Sequence, residues 1–302
     1  MTKQKKAEIF LFLTTFIWGG NCVITKFSLY GITPLRLIAI RFLIASLIAL
    51  PFFMWSIPTF NRVTLKNGCW LGLLMFIGFV AQTVGLVYTS ASHSAFITSM
   101  MVIFTPIFQW ILLQQKLSHR NLIGIVIVLI GLWFLTAPHA EGFNIGDGLT
   151  LLCAAIFGFY LIELDRISKQ CETPSQLAFL QIASCAVYAW MIVWPFESSP
   201  MQWHENICHT EHVLNCRTGW TQTDILSMGY LVVFATLATT FTQIRYQRDT
   251  TPTRAAIIFT VEPVWAAILG YLMLGERLGL SGLLGGGLIV AGIFISLLPK
   301  KI

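Results

Sequence analysis

The chain has 302 residues, of which 56% are hydrophobic and only 11% are charged. Soluble domains carry roughly 25% charged residues, so this composition excludes an ordinary soluble enzyme, and its apolar content excludes a disordered chain. The net charge is +6, but the basic residues lie between long apolar segments. This arrangement is typical of membrane orientation and argues against a nucleic-acid partner.

The apolar residues are gathered in ten segments, each close to the ~20 residues that cross a bilayer as a helix. Such long apolar runs lack the alternation of an outer-membrane barrel strand. We therefore predict an all-α polytopic membrane protein. Its ten transmembrane helices are expected at 8–29, 33–55, 68–89, 93–114, 120–137, 147–168, 174–196, 224–245, 251–274 and 280–299.

Ten helices place both termini on one side of the membrane, and the basic residues indicate which side. Arg217 and Arg277 alone would face the side opposite the termini. Because basic loops stay inside, we predict a multi-pass protein of the cell inner (cytoplasmic) membrane with both termini cytoplasmic. Fourteen basic residues would lie on the side of the termini: Lys3, Lys5, Lys6, Arg62, Lys66, Lys116, Arg120, Arg166, Lys169, Arg245, Arg248, Arg254, Lys300 and Lys301.

The two halves of the chain share two motifs. One is a proline-containing segment followed by two glycines seven residues apart, and the other is an aromatic residue followed by glycine. Five helices per half would turn the second copy over, so we predict two inverted five-helix repeats, 1–138 and 139–302, with a substrate site between them. The motifs are 104–108, Gly124, Gly131 and Trp18-Gly19 in the first half, and 261–265, Gly285, Gly292 and Phe157-Gly158 in the second.

Several short motifs resemble those of the EamA family of the drug/metabolite transporter superfamily, over residues 7–299. The resemblance implies ten helices, cytoplasmic termini and transport of small metabolites, often export of amino acids or related compounds. The chain departs from the family pattern at Gln114-Gln115-Lys116, where Gly-Glu-Arg is usual. The motifs are Phe16-Ile17-Trp18-Gly19, Pro34 with Arg41-Phe42-Leu43, Pro106, Glu262-Pro263 and Gly275-Glu276-Arg277-Leu278.

Two ionisable residues lie deep in predicted spans, where charge is costly and therefore indicates function. Glu262 is near the middle of 251–274 and precedes Pro263, which removes a backbone donor. Arg41 is eight residues into 33–55, or about 12 Å deep. We predict that Glu262 binds a substrate ammonium or couples transport to a proton, and that Arg41 binds a substrate carboxylate. The alternatives are structural: a carboxylate bonded to a neighbouring helix, and an arginine clamped on backbone carbonyls.

Uncharged polar and aromatic residues inside the spans form a second group of candidates. Interhelical hydrogen bonds, worth about 0.6 kcal/mol each, explain such residues equally well. Gln109, Gln181, Trp110 and Trp265 belong to the same group. For the substrate site we predict Trp18, Asn21, Gln82, Thr98, Tyr160 and Gln243.

The long connection at about 197–223 is predicted to be extracytoplasmic, and it holds His204, Cys208, His212 and Cys216 at spacings of four. An oxidising compartment favours a disulfide between Cys208 and Cys216. A helix would separate these cysteines by about 12 Å, beyond the ~7 Å that a disulfide allows. The alternatives to a disulfide are a zinc site, built from the same spacing, and unpaired side chains.

These features predict a secondary transporter of small metabolites that works by alternating access, as a monomer or homodimer in contact with membrane lipid. No cofactor is expected, and the sequence has no phosphate-binding loop for ATP. The alternatives are a membrane-embedded enzyme that acts on a lipid or its head group, and a channel or receptor. An enzyme is disfavoured because the sequence has neither His-Glu-x-x-His nor Gly-x-Ser-x-Gly.

Overall fold

The computed structural model describes residues 2–29, 31–55, 61–115, 118–136, 144–196, 221–274 and 280–297. In these ranges the regular secondary structure is helical throughout. The helices are α1 (Lys3–Ser28), α2 (Pro34–Trp55), α3 (Arg62–Tyr88), α4 (Ala91–Ser99), α5 (Met101–Leu113), α6 (His119–Thr136), α7 (Ile145–Gln170), α8 (Pro174–Phe196), α9 (Gln222–Val232), the π-helix Val233–Ala238, α10 (Thr239–Gln247), α11 (Pro252–Phe259), α12 (Glu262–Leu274) and α13 (Leu280–Leu297).

The predicted all-α membrane fold is confirmed. Within the described ranges, nine helical segments are long and apolar enough to cross a membrane, and α6 is a shorter apolar helix. Each predicted segment coincides with one of these ten. The fourth span is formed by α4 and α5, the eighth by α9, the π-helix and α10, and the ninth by α11 and α12.

Large apolar side chains cover the outside of the bundle. Phe52, Trp194, Leu272 and Phe294 are each more than 60% exposed, which is stable where lipid surrounds the protein but not in water. Contacts between helices instead use small residues that let backbones approach. A Cβ on Gly19, for example, would overlap Trp265 Cβ, so α1 and α12 are in close contact there.

The closest approach between α6 and α13 occurs at two pairs of glycines. A Cβ on Gly124 would lie 2.8 Å from the oxygen of Gly292, and one on Gly131 would lie 2.8 Å from the oxygen of Gly285. The pairs run in opposite order along the two helices, which are therefore antiparallel. The inverted repeat stays a prediction, but an exchange of partners between corresponding glycines is what a two-fold relation between the halves would produce.

The fourth and ninth spans are both interrupted. Met100 separates α4 from α5, and Thr260 with Val261 separates α11 from α12. Backbone that leaves the helix at membrane depth is tolerated where it lies inside the protein or lines a cavity. In the ninth span the interruption makes Glu262 the first residue of α12, which places its carboxylate in the interior of the bundle.

Candidate functional site

An internal cavity lies between the two halves of the chain. Its volume is about 70 Å³, room for roughly five water molecules. Among the lining residues that the structure describes, only Glu262 has a carboxylate, and none is Lys, Arg or His. The lining residues are Trp18, Asn21, Met75, Phe79, Gln82, Thr98, Met101, Phe157, Tyr160, Leu161, Ala235, Thr236, Thr239, Thr240, Gln243, Phe259 and Glu262.

The structure brings seven of the eight predicted site residues to this cavity. Arg41 is the exception, because it lies behind the wall. The other seven are Trp18, Asn21, Gln82, Thr98, Tyr160, Gln243 and Glu262. Whether they bind substrate stays a prediction, but their convergence from separate helices places them where one ligand could touch them all.

Glu262 is 6% exposed and faces the cavity from the first turn of α12. The Cys22 thiol of α1 donates to its Oε1 at 3.7 Å. Within the described part of the chain, no Lys, Arg or His forms an ion pair with Glu262. A thiol is a weak donor, so the carboxylate keeps most of its hydrogen-bonding capacity for a ligand or a proton.

Arg41 is 3% exposed, and its guanidinium forms hydrogen bonds with protein groups. Nη1 donates to Asn21 Oδ1 at 3.0 Å, and Nε donates to Thr236 Oγ1 at 2.7 Å. Nη2 donates to the oxygen of Ala235 at 3.0 Å, inside the π-helix. The ring of Phe79 lies 4.8 Å from Cζ. Arg41 therefore ties α2 to α1 and to the π-helix. This is a clamp between helices, as in the structural alternative, but only one of these three acceptors is a backbone carbonyl.

Asn21 and Cys22 are consecutive residues of α1, and they connect the two buried charges. Asn21 accepts from Arg41, and Cys22 donates to Glu262. The guanidinium and the carboxylate thus lie on either side of one turn of α1 and do not meet directly. A shift of α1 would alter both sets of contacts together.

The uncharged polar residues of the cavity wall are partly held by each other. Gln82 Nε2 donates to Thr98 Oγ1 at 3.1 Å. The Tyr160 hydroxyl accepts from Gln181 Nε2 at 2.8 Å, which leaves its own proton for another acceptor. Gln243 Nε2 donates to Gln247 at 3.1 Å. These bonds fix side-chain orientations and still leave donors and acceptors available to a ligand.

Aromatic rings form the rest of the wall. Trp18 packs edge-on against Phe259, with ring centroids 4.9 Å apart, and Phe79 packs edge-on against Phe157 at 5.6 Å. The faces of such rings attract cations. Rings beside one carboxylate and no basic side chain suit a ligand with a positively charged group.

Three lining threonines, Thr236, Thr239 and Thr240, were not predicted from the sequence. They precede Gln243 on the eighth span at spacings of three, one and three residues, so all four side chains lie on one helical face. A polar stripe of three hydroxyls and one amide, at i, i+3, i+4 and i+7, is a signal that the sequence does contain. It marks the face of the eighth span that points inward.

Other candidates of the same type lie elsewhere. Gln109 accepts from the Thr253 hydroxyl at 2.6 Å, and Trp265 Nε1 donates to Thr15 Oγ1 at 3.1 Å. Trp110 is 57% exposed on the outside of the bundle. Cys208 and Cys216 lie outside the described residues. Over the described ranges, no group of three or more His, Cys, Asp or Glu side chains could hold a metal ion.

Comparison with known proteins identifies the family. The sequence profile of the EamA-like transporter family matches residues 5–137 and again residues 144–298. An uncharacterized transporter of Archaeoglobus fulgidus is 31% identical and covers 97% of this chain and 86% of its own. A probable amino-acid metabolite efflux pump of Salmonella typhimurium is 25% identical over 99% and 97% of the two chains. An S-adenosylmethionine/S-adenosylhomocysteine transporter of Chlamydia muridarum is 23% identical over 96% and 91%.

A solved crystal structure shares the fold. It superposes with a TM-score of 0.74 over 97% of each chain at 15% sequence identity, a likeness that concerns the fold alone. The two profile matches cover nearly the whole chain, and their boundary at 137–144 lies at the predicted boundary of the halves. The chain belongs to the EamA-like transporter family, and it is a small-molecule transporter of the membrane.

Proposed function

We propose that this transporter exports amino acids or related ammonium-bearing metabolites across the cytoplasmic membrane by alternating access. The observation that carries the proposal is the cavity between the halves, which is lined by aromatic rings and neutral polar groups around one carboxylate. A relative named as a probable amino-acid metabolite efflux pump supports this substrate class and this direction.

Glu262 has the central role in this proposal. Its carboxylate faces the substrate ammonium, or releases that ammonium when a proton takes its place. A single carboxylate that can hold either a cation or a proton, but not both, couples the two fluxes in opposite directions. The Cys22 thiol, its protein partner at 3.7 Å, is too weak a donor to compete with either.

Neutral groups hold the remainder of the substrate. Trp18 and Phe259 offer ring faces to the ammonium or to an apolar side chain. Asn21, Gln82 and Thr98 offer amide and hydroxyl groups to a carboxylate. Arg41 has a positioning role, since it fixes Asn21 and the π-helix from behind the wall. Its charge still lowers the cost of bringing an anionic group close to Asn21.

The test is counterflow in sealed vesicles that contain the purified protein. Vesicles are loaded with one unlabelled amino acid at a time, diluted, and supplied with the same compound in labelled form. A carrier accumulates label transiently above equilibrium, and we expect this for amino acids with an intact ammonium group and not for their N-acetylated forms. Equilibration without overshoot would indicate a channel. Equal counterflow of the N-acetylated forms would remove the ammonium from the proposal.

The proposed orientation places both termini in the cytoplasm, and it rests on the fourteen-to-two distribution of basic residues. Single cysteines at Lys116 and Glu205, both outside the described residues, test it with a membrane-impermeant thiol reagent. Intact cells should label position 205 and not position 116. The reverse pattern would overturn the orientation without affecting the cavity.

A further inference from the structure

Two small clusters of polar side chains join the halves of the chain, and neither belongs to the cavity. The first, the Glu8 cluster, consists of Glu8 of α1 with Thr250 and Arg254. Glu8 Oε1 accepts from Arg254 Nη1 at 2.9 Å and from Thr250 Oγ1 at 3.5 Å. Glu8 is buried, and it connects the first helix of the first half to the start of the ninth span.

The second, the Asp147 cluster, consists of Asp147 of α7 with Thr89 and His93. Asp147 Oδ1 accepts from Thr89 Oγ1 at 3.0 Å and lies 3.1 Å from His93 Nδ1. Asp147 is 1% exposed. It connects the first helix of the second half to the start of the fourth span. Its other oxygen accepts from the backbone of Asn144, in the cap of α7.

The two clusters correspond position by position. Their acids are 139 residues apart in the sequence, which is also the separation of Gly19 and Gly158. Their threonines are 161 residues apart, as are their basic residues, and this is the separation of Gly124 and Gly285. In each cluster the acid comes from one half, while the threonine and the basic residue come from the other. The predicted inverted repeat would exchange the clusters.

The clusters lie on opposite sides of the cavity. Lys26, near the end of α1, donates to the oxygen of Thr89 at 3.0 Å. This end of α1 therefore lies beside the Asp147 cluster. Glu8 is 18 residues earlier on the same helix, or about 27 Å at 1.5 Å per residue, close to the ~30 Å of a bilayer core. Trp18 and Asn21 of the cavity wall lie between these two points.

We propose that the Glu8 cluster and the Asp147 cluster are the two gates of the transport cavity, each closing one end when it forms. This inference rests on the proposed transport function. With both clusters formed, as observed, the halves are joined on both sides of the cavity. Opening toward one end then requires the cluster at that end alone to separate.

The chemistry of the clusters suits reversible closure. A buried carboxylate is stable only while it is paired, and water replaces the lost partner once the contact opens. Arg254 and His93 are 19% and 37% exposed in their side chains, so neither contact is sealed inside the bundle. The gates differ in one respect: Arg254 always carries its charge, whereas His93 is charged only when protonated.

Hydrogen–deuterium exchange of the purified protein in nanodiscs tests the proposal without any substrate, so its failure would leave the transport function intact. Arg254→Gln should raise deuterium uptake in peptides of the Glu8 cluster and lower it in peptides of the Asp147 cluster, by up to about fivefold in rate. His93→Gln should give the opposite pattern, with a smaller amplitude. Both substitutions spare the capping role of Asp147.

Two further variants reverse or exchange the charges of the Glu8 cluster. Arg254→Glu should open the Glu8 cluster more than Arg254→Gln does, and the double variant Glu8→Arg/Arg254→Glu should restore the original exchange at both ends. Arg245→Gln is the control, because Arg245 pairs with Asp249 within one turn of its own helix and, over the described ranges, forms no ion pair with the first half. Uptake that rises only beside each substitution, with no protection at the other end, would show that the clusters are ordinary structural contacts.

Discussion

The fourth span, residues 91–113, and the ninth span, residues 252–274, have the same construction. Each consists of two helices separated by a short break, and each carries a proline, Pro106 or Pro263, in its second helix. The residue before the proline differs. Thr105 donates its hydroxyl to the oxygen of Met101 at 2.8 Å, within its own helix. Glu262 instead faces the cavity.

This difference teaches that the two halves share a scaffold but not a chemistry. After the break, each span packs against a glycine of the other half: Gly158 lies against Phe104, and Gly19 lies against Trp265. The break in the ninth span presents a carboxylate to the cavity. A transporter that binds one substrate at a time needs one such group, so only one copy has to carry it.

The largest effect should come from replacing the group that distinguishes the two spans. Glu262→Gln should keep the fold, because shape and volume are retained, and should lose gradient-driven transport by at least about tenfold. Loss of a charged hydrogen-bond partner in a buried site costs about 1.5–3 kcal/mol. Uptake driven by a pH gradient in sealed vesicles measures the loss, with Thr105→Val, at the residue before the proline of the fourth span, as a control outside the cavity lining.

Two readouts separate the roles of Glu262. If it carries the proton, the Glu262→Gln protein should still exchange substrate at equilibrium while losing its response to the gradient. If it binds only the ammonium, equilibrium exchange should fall as well. Normal gradient-driven transport by a stably folded Glu262→Gln protein would remove Glu262 from the mechanism and make the two spans equivalent.

The next largest effect is expected at Arg41, which connects α2 to the π-helix of the second half. Arg41→Lys keeps a positive charge but cannot reach Asn21, Thr236 and Ala235 together, because an ammonium lacks the planar fork of guanidinium. We expect transport to fall several-fold and the protein to lose about 1–3 kcal/mol of stability, as happens when buried hydrogen-bonding groups lose their partners. Thermal unfolding and counterflow measure both quantities.

The exposed Arg62 provides the control, since Arg62→Lys should change neither quantity. A result in which Arg41→Lys leaves stability unchanged but abolishes transport would favour direct binding of a substrate carboxylate. That outcome would restore the role first predicted for Arg41 and would place a cation opposite Glu262 in the substrate site.

The sequence predicted the fold closely because lipid imposes a simple rule. All ten spans could be located from apolar length, and their bounds agree with the helices to within about two residues except at two starts. α1 begins at Lys3 instead of residue 8, and α3 begins at Arg62 instead of residue 68. Breaks were harder to predict. Met100 interrupts the fourth span although it is neither proline nor glycine, so the local sequence does not signal the interruption.

The cavity could be predicted only in part. Their depth in predicted spans identified Glu262 and Arg41 as candidate functional residues. It could not show which of them reaches the cavity, because that depends on contacts between helices. Trp18 and Trp110 are indistinguishable by local sequence, yet one lines the cavity and the other is exposed on the outside. A single sequence reports depth in the membrane well and the direction of a side chain poorly.

A smaller effect is expected at the glycine contacts between α6 and α13, where the two halves contribute the same kind of residue. Gly131→Ala on α6 would bring a Cβ within 2.8 Å of the oxygen of Gly285, so α6 and α13 must separate. We expect a loss of about 1–3 kcal/mol with transport per folded molecule unchanged. Gly292→Ala should behave alike, because its contact with Gly124 is the same distance. Gly287→Ala, with nothing within 4 Å, should not lower the temperature of thermal unfolding, because alanine favours a helix more than glycine does. A clear difference between Gly131→Ala and Gly292→Ala would argue against a two-fold relation.

The smallest effect is expected in the one segment that the first half does not share. The connection at about 197–223 joins the seventh and eighth spans, whereas the corresponding connection of the first half, between α2 and α3, is only six residues long. We predict that Cys208 and Cys216 form a disulfide there, and mass spectrometry of non-reduced peptides should find them linked. The double variant Cys208→Ser/Cys216→Ser should transport within about twofold of the wild-type rate, because loops outside the core tolerate change. If the double variant lost transport, the asymmetry between the halves would extend from the cavity to this connection.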